Sequence, residues 1–294
     1  MIDIIQIYQQ YNIKYWTEGK NVQKGWVNIQ CPFCDDKTNH LGFELNKQYF
    51  YCWKCKHKFN DQVFKALKIP LSELNKHSIF QTQIREKLNE KQTFILPGKE
   101  GLNKQAKQYL IKRGYDPDYL IEKYKLRYCD HLSLSYNFRI VIPIFFEQKI
   151  ISYTTRDYTD KQELRYISCP KEMEIIHHKH ILYNIDNCKN NFIFVFEGNF
   201  NVWKMGDNCC STFGTSYTTQ QINLLKVYEI IIIIFDNEET AQNQAENLGN
   251  ILSGLGKLVY IICIPKIYND IAEIPEHKAL IFKTKILNKL GLKE

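Results

Sequence analysis

Two kinds of residue in this sequence could do chemistry by their type and spacing. The first is cysteine. Cys31-Pro32-Phe33-Cys34 and Cys52-Trp53-Lys54-Cys55 are two Cys-x-x-Cys pairs with 17 residues between them. This spacing matches the knuckles of a zinc ribbon, where four thiolates close a tetrahedral Zn²⁺ site. A redox pair is the competing use of such a motif. His40 and His57 lie close enough in sequence to be substitute ligands, but four cysteines leave them as surface residues. The second kind is carboxylate. Ile230 to Phe235 is an unbroken bulky apolar run that ends in Asp236-Asn237-Glu238. Acids at i and i+2 can share a hard divalent cation. A buried strand running into a polar turn accounts for the same residues.

Around the cysteines, Lys54, Lys56, His57 and Lys58 stand beside Tyr49, Tyr51 and Trp53. Cations neutralise phosphates and aromatic faces stack on bases, so the mixture suits a single nucleic-acid strand, with Trp53 and Lys54 as candidate contacts. The aromatics could equally fill a core too small for the metal alone to hold.

Composition limits the setting. With 44% apolar and 24% charged residues over 294 positions, the chain has room for two or three domains with real cores. Its net charge of +7 is uneven: residues 1–130 hold 22 basic and 14 acidic groups (+8), residues 131–294 hold 17 and 18 (−1). A basic front before an acidic back suits a metal-dependent enzyme acting on a polyanion, although a general solubility charge would look similar. Met1 to Ile5 lack the pattern of a secretory signal, and no run is long and apolar enough to span a bilayer. A cytoplasmic chain with ten reduced cysteines is expected.

The elements that must position these groups follow from periodicity. Residues 3–11 read as a helix capped by Asp3, 26–29 as a strand, and 42–45 with 48–51 as a hairpin around Asn46-Lys47. Residues 1–70 form one expected domain, and the polar stretch 71–98, broken at Pro97-Gly98, a linker. Helices over 104–115 and 116–124 then precede strands at 139–144 and 150–156 and segments at 165–168 and 179–184, making 99–187 a basic mixed α+β unit. The runs 192–196, 209–214, 230–235 and 258–264, with helices between them, read as βαβαβαβ, a small parallel α/β sheet over 188–275. A last helix-like segment covers 276–294. In such a sheet Glu197-Gly198, which ends the run Phe192–Phe196, would sit at the same edge as Asp236.

The order closely resembles the catalytic core of bacterial and phage DNA primases. A helix ending in Arg113-Gly114 precedes Arg139-Ile140-Val141-Ile142-Pro143-Ile144, then an Arg-bearing strand, Arg165-Tyr166-Ile167, and a Lys before Leu182-Tyr183. Residues 25–59 resemble the primase zinc domain, with Cys34 where cellular primases commonly have His. The last third resembles the Toprim domain. Glu197 matches its Glu motif and Asp236 with Glu238 its Asp-x-Asp motif. Asn269-Asp270-Ile271-Ala272-Glu273 is similar to its final acidic stretch. Two departures stand out. Glu238 replaces the usual Asp, and Lys179 lies one residue closer to Leu182-Tyr183 than the pattern has it.

What the resemblance implies is template-directed synthesis of short RNA primers on single-stranded DNA from ribonucleoside triphosphates. Asp236, Glu238 and Asp270 would hold Mg²⁺ or Mn²⁺, with Glu197 as a further metal-site carboxylate or general base. Arg139, Arg156, Arg165 and Lys179 would hold triphosphate or template. No Gly-x-x-x-x-Gly-Lys-Ser/Thr occurs, so a helicase would be a separate partner. A Toprim nuclease using water as nucleophile, or a non-catalytic single-strand-binding module, are the alternatives.

Overall fold

The computed structural model of the chain describes residues 2–46, 48–58, 60–70, 94–130 and 136–293. Its elements are grouped in three sheets. The first sheet is an antiparallel meander. β1 (Trp26–Ile29), β2 (Leu41–Glu44), β3 (Tyr49–Cys52) and β4 (Lys56–Lys58) pair in sequence order. Register puts Trp26 opposite Glu44 and Leu41 opposite Cys52. Phe43, Phe50, Val27, Ile29 and Leu41 bury one side against α1 (Ile4–Gln10) and α2 (Asn60–Ala66), through Ile4, Ile7, Tyr8, Val63 and Phe64. As expected, Asp3 caps α1, accepting from the Gln6 N–H at 3.0 Å. Gly42 is required for steric reasons, since a Cβ there would come 2.7 Å from Asn28 Oδ1 and from the Trp26 and Trp53 rings. The turn residue Lys47, the side chain of His57, and most of the expected linker (71–93) lie outside the described residues.

The second sheet is antiparallel in the order β5 (Lys99–Glu100), β6 (Arg127–Cys129), β7 (Arg139–Phe146), β8 (Lys149–Asp157), β9 (Tyr166–Ser168). Pro143 is tolerated in the middle of β7 because β6 pairs only with Arg139 to Val141, which leaves the edge beyond it open. Helix α3 (Lys104–Lys112) starts at the Asn103 cap and stops at Gly114, whose φ is +74°. Helix α4 (Pro117–Tyr124) is capped by Asp116 with Pro at its first position. The segment 179–184 is not a paired strand. It runs through short 3-10 turns and bridges to the third sheet at Tyr183 and Ser211.

The third sheet is the expected parallel one, in the order β11 (Cys209–Ser211), β10 (Phe192–Phe196), β12 (Ile230–Ile233), β13 (Leu258–Ile261). Crossovers α5 (Asn199–Met205), α6 (Thr219–Leu225) and α7 (Glu239–Gly254) link them, and α8 (Glu276–Leu290) closes the chain. The two central strands, β10 and β12, are buried on both faces, which is why they read as unbroken apolar runs. Strand order reverses between them, so the crevice where ligands enter such sheets lies at their carboxyl ends. No helix among the described residues is long and apolar enough to cross a membrane.

Candidate active site and metal centre

At those carboxyl ends the backbone brings three acids together. β10 ends into Glu197, and β12 continues through buried Ile234 and Phe235 into Asp236. The Asp236 backbone N–H donates to Glu197 Oε1 at 2.9 Å. Asp270 arrives on the segment after β13, where its Oδ1 caps a short turn by accepting from the Glu273 N–H at 2.9 Å. Two asparagines lock the set. Asn201 Nδ2 donates to Asp236 Oδ1 at 3.3 Å while its Oδ1 accepts from the Ala272 N–H at 3.1 Å. Asn237 Nδ2 donates to the carbonyls of Ile264 and Tyr268 at 3.2 and 2.8 Å.

Glu197, Asp236 and Asp270 line one cleft of about 360 Å³. Burial pushes all three carboxyls upward. Asp236, with the charges of Glu197 and Asp270 adding to its burial, is pushed up to about 7. Oxygen ligands of this kind suit a hard divalent cation. The donor set therefore fits the ion that the Toprim resemblance implies. Glu238 stands apart. It is the exposed N-cap residue of α7, on the rim, and does not line the cleft, although its charge still raises Asp236.

The same cleft also carries cations, Arg113, Arg156 and Arg165, and Arg113 is near enough to Asp270 to offset part of its upward shift. Arg156 Nε donates to the Tyr109 hydroxyl at 2.8 Å and Arg156 Nη2 to Asp160 Oδ1 at 3.0 Å, and its guanidinium lies 5.1 Å from the Tyr166 ring centre. Arg113, the C-cap of α3, lies 5.1 Å from the Phe200 ring centre. Two other candidate cations are placed elsewhere. Arg139 is 2% exposed and donates to the backbone carbonyls of Leu164 and Arg165, bracing the 157–165 loop. Lys179 Nζ donates to the carbonyls of Thr212, Phe213 and Ser216, and burial lowers it to about 8.

The sequence does not single out Asn201, and it marks Arg113 only as part of a helix end, not as a residue of the cleft. Arg113 sits just before the helix-stopping Gly114, and its side only becomes visible when α3 is packed. Asn201 carries no charge, so nothing in the sequence set it apart from the rest of its crossover helix.

The four cysteines of the ribbon converge. Their sulfurs lie within 4.8 Å of one another, Cys31 to Cys55 at 3.5 Å and Cys34 to Cys52 at 3.9 Å. Sulfurs about 2.3 Å from a tetrahedral centre would be roughly 3.8 Å apart, so the set fits a metal thiolate site. Asp36 organises the first knuckle, accepting from the Cys31 and His40 backbone N–H groups at 2.8 and 2.7 Å. Trp53 is half-buried, its ring centre 4.9 Å from that of Trp26 and 5.7 Å from that of Tyr51. These rings face Asn247, Asn250 and Ile251 of α7 across a crevice of about 230 Å³. Lys54 Nζ is held by the Asp35 carbonyl.

Comparison with known proteins agrees with this architecture. Residues 194–274 match the family described as Toprim-like. A DNA primase of Staphylococcus epidermidis is 23% identical over an alignment of 338 positions, gaps included, covering 90% of this chain and 54% of the relative. A DNA primase of Buchnera aphidicola is 25% identical, covering 77% and 49%. This chain thus spans about half the length of the curated relatives it matches. The solved structure of the Aquifex aeolicus primase zinc-binding and RNA polymerase domains superposes with a TM-score of 0.54 at 20% identity, covering 98% of this chain and 82% of that one. Joining a four-cysteine ribbon to a Toprim-like sheet in the fold of a primase core, the chain is similar to the bacterial-type DNA primases.

Proposed function

We propose that this chain is a DNA primase, building short RNA primers on single-stranded DNA by metal-dependent nucleotidyl transfer. The observation that carries this is that three carboxylates, Glu197, Asp236 and Asp270, share the lining of one cleft with Arg113, Arg156 and Arg165. Asp236 and Asp270 are the proposed holders of Mg²⁺ or Mn²⁺, and Glu238, expected from the sequence to join them, adds only its charge from outside the cleft. Such ions supply neutralisation of the developing phosphate charge and a lowered pKa for the attacking 3′-hydroxyl. Glu197 fixes the Asp236 backbone and contributes a further carboxylate to the same edge. The arginines orient a triphosphate, their planar donor forks matching phosphate oxygens. Arg156 is pre-set for this by Tyr109 and Asp160, so little side-chain freedom is lost on binding. Arg139 and Lys179 act one step back, by holding the loops that shape the cleft.

The ribbon, held by Zn²⁺ on Cys31, Cys34, Cys52 and Cys55, presents its aromatic side to the template, with Trp53 in the crevice against α7 and Lys54 at the knuckle. The proposed place of action is the cytoplasm, that of the bacterial host if the chain is phage- or plasmid-encoded, with a replicative helicase as the proposed partner. Incubation with end-labelled single-stranded DNA, labelled ribonucleotides and Mg²⁺ or Mn²⁺ tests the proposal. Template-dependent short products support it. Template shortening without synthesis would identify a nuclease, and binding alone a non-catalytic module.

A further inference from the structure

Outside the ribbon and the three acids, another group of ligating side chains meets at one point. Glu174 follows a short 3-10 turn (Lys171–Met173), and its side chain has no solvent exposure. Its Oε1 accepts from Ser152 Oγ at 2.6 Å and from the His178 backbone N–H at 3.1 Å, and lies 2.6 Å from His178 Nδ1. Its Oε2 lies 2.5 Å from His177 Nδ1. Two successive imidazoles therefore turn the same ring nitrogen toward one carboxylate. Their ring centres are 4.7 Å apart with planes at 78°. The three ligand atoms lie within 4.8 Å of one another.

We propose that Glu174, His177 and His178 form a second metal site, distinct from the thiolate cluster and from the Toprim acids, for a borderline divalent cation of the Zn²⁺ or Co²⁺ class. Two imidazole nitrogens and one carboxylate are the donors such ions take when a coordination position is left open, whereas Mg²⁺ favours an all-oxygen octahedron. In the metal-free chain the 2.5 and 2.6 Å contacts are Nδ1–H···carboxylate hydrogen bonds. On binding, each His would give up its Nδ1 proton and keep one on Nε2, and the donor atoms would move apart to the roughly 3 Å that one ion requires. The Ser152 hydroxyl provides the outer hydrogen bond that orients the carboxylate. The open side is the exposed one: the His177 side chain is 27% and the His178 side chain 13% accessible. His178 also lines the catalytic cleft, so the ion would add positive charge to its wall and pin the segment that carries Lys179. The site stands whether or not the chain polymerises nucleotides.

The test uses the full chain with its ribbon metal in place, titrated with Co²⁺ in excess Mg²⁺ and followed by visible absorption. The expected result is one Co²⁺ per chain with the weak bands of nitrogen and oxygen ligation and no thiolate charge-transfer band. Glu174→Gln removes a buried carboxylate that braces its own loop, so the deciding variants are His177→Asn and His178→Asn, each confirmed folded by its thermal melt. Each should weaken Co²⁺ binding at least about tenfold. Bands that persist unchanged in the His177→Asn/His178→Asn double variant, or no such bands in the parent chain, would overturn the proposal.

Discussion

The Glu197 carboxylate accepts the backbone N–H of Asp236 at 2.9 Å, so one acid of the cleft fixes the main chain of the next. Glu197 thereby aims the Asp236 carboxylate as well as adding its own charge. Glu197→Gln keeps an acceptor for that N–H but removes the charge, whereas Glu197→Ala removes both. The expectation is that Glu197→Ala loses more divalent-ion affinity than Glu197→Gln, by roughly tenfold. Calorimetric Mn²⁺ titration of the two variants measures the difference, and equal losses would reduce Glu197 to its charge.

Crowding gives Asp236 a proton affinity that the unfolded chain lacks. Its folded value of about 7 stands above the ordinary 3.8, raised by burial and then by Glu197 and Asp270. Between about pH 4 and pH 7 the native state therefore binds a proton that the unfolded state has released, so metal-free stability falls as pH rises through this window. Divalent-ion binding runs the other way, strengthening as pH rises through about 7 and the proton leaves. Asp236→Asn should flatten the stability slope and raise the metal-free melting point near neutral pH, at about 2–4 °C per kcal/mol regained. Melting curves across pH 4–8, with and without Mg²⁺, read both effects.

Arg113 and Arg139 separate binding from bracing. Arg113 lines the cleft, whereas Arg139 is buried with its guanidinium on the Leu164 and Arg165 carbonyls. Arg113→Ala should raise the apparent KM for ribonucleotides about tenfold, the loss of one charge-assisted contact, with little change in stability. Arg139→Ala should cost about 3 kcal/mol in stability, because it strips two buried carbonyls of their donor. Steady-state kinetics beside denaturant melts distinguishes them.

Position also grades the acids. Glu238 is exposed on the rim while Asp236 is in the cleft. Glu238→Gln should therefore lower synthesis by about tenfold, well short of the loss in Asp236→Ala, since an exposed charge acts through a high dielectric. Turnover of both variants at saturating Mg²⁺ checks the ranking.

Removing the ribbon metal should unfold residues 26–58 and leave the parallel sheet intact. The two have separate cores, one around Phe43 and Phe50 and the other around β10 and β12. Cys52→Ser should lose its metal and the protection of the ribbon amides in hydrogen exchange, and should impair initiation more than elongation.

The parts of this architecture that are local in sequence were legible before folding. The thiolate ligands are two short motifs, the central strands are apolar on both faces, and Asp3, Asp116 and Gly114 mark helix ends by their own backbone chemistry. Less legible was the direction in which a side chain points once elements pack. Arg139 and Arg156 both sit on adjoining strands of one sheet, yet Arg139 turns to the 157–165 loop and Arg156 to the cleft. Lys179 was recognisable as a cation but not as the donor to three carbonyls 33 to 37 residues away. Trp53 could be read as stacking surface, yet its partners across the crevice, Asn247 and Asn250, come from a helix nearly two hundred residues further on. Arg113 and Asn201 gain their roles only from tertiary contact.

The claim that the three carboxylates form a nucleotidyl-transfer site is tested most directly by quantifying labelled oligonucleotides made from ribonucleotides on single-stranded DNA with Mg²⁺ or Mn²⁺, comparing the parent chain with Asp236→Ala. Short template-dependent products from the parent and a loss of at least about a thousandfold in the variant are predicted, equivalent to some 4 kcal/mol of transition-state stabilisation. Equal synthesis by the two proteins would contradict the assignment.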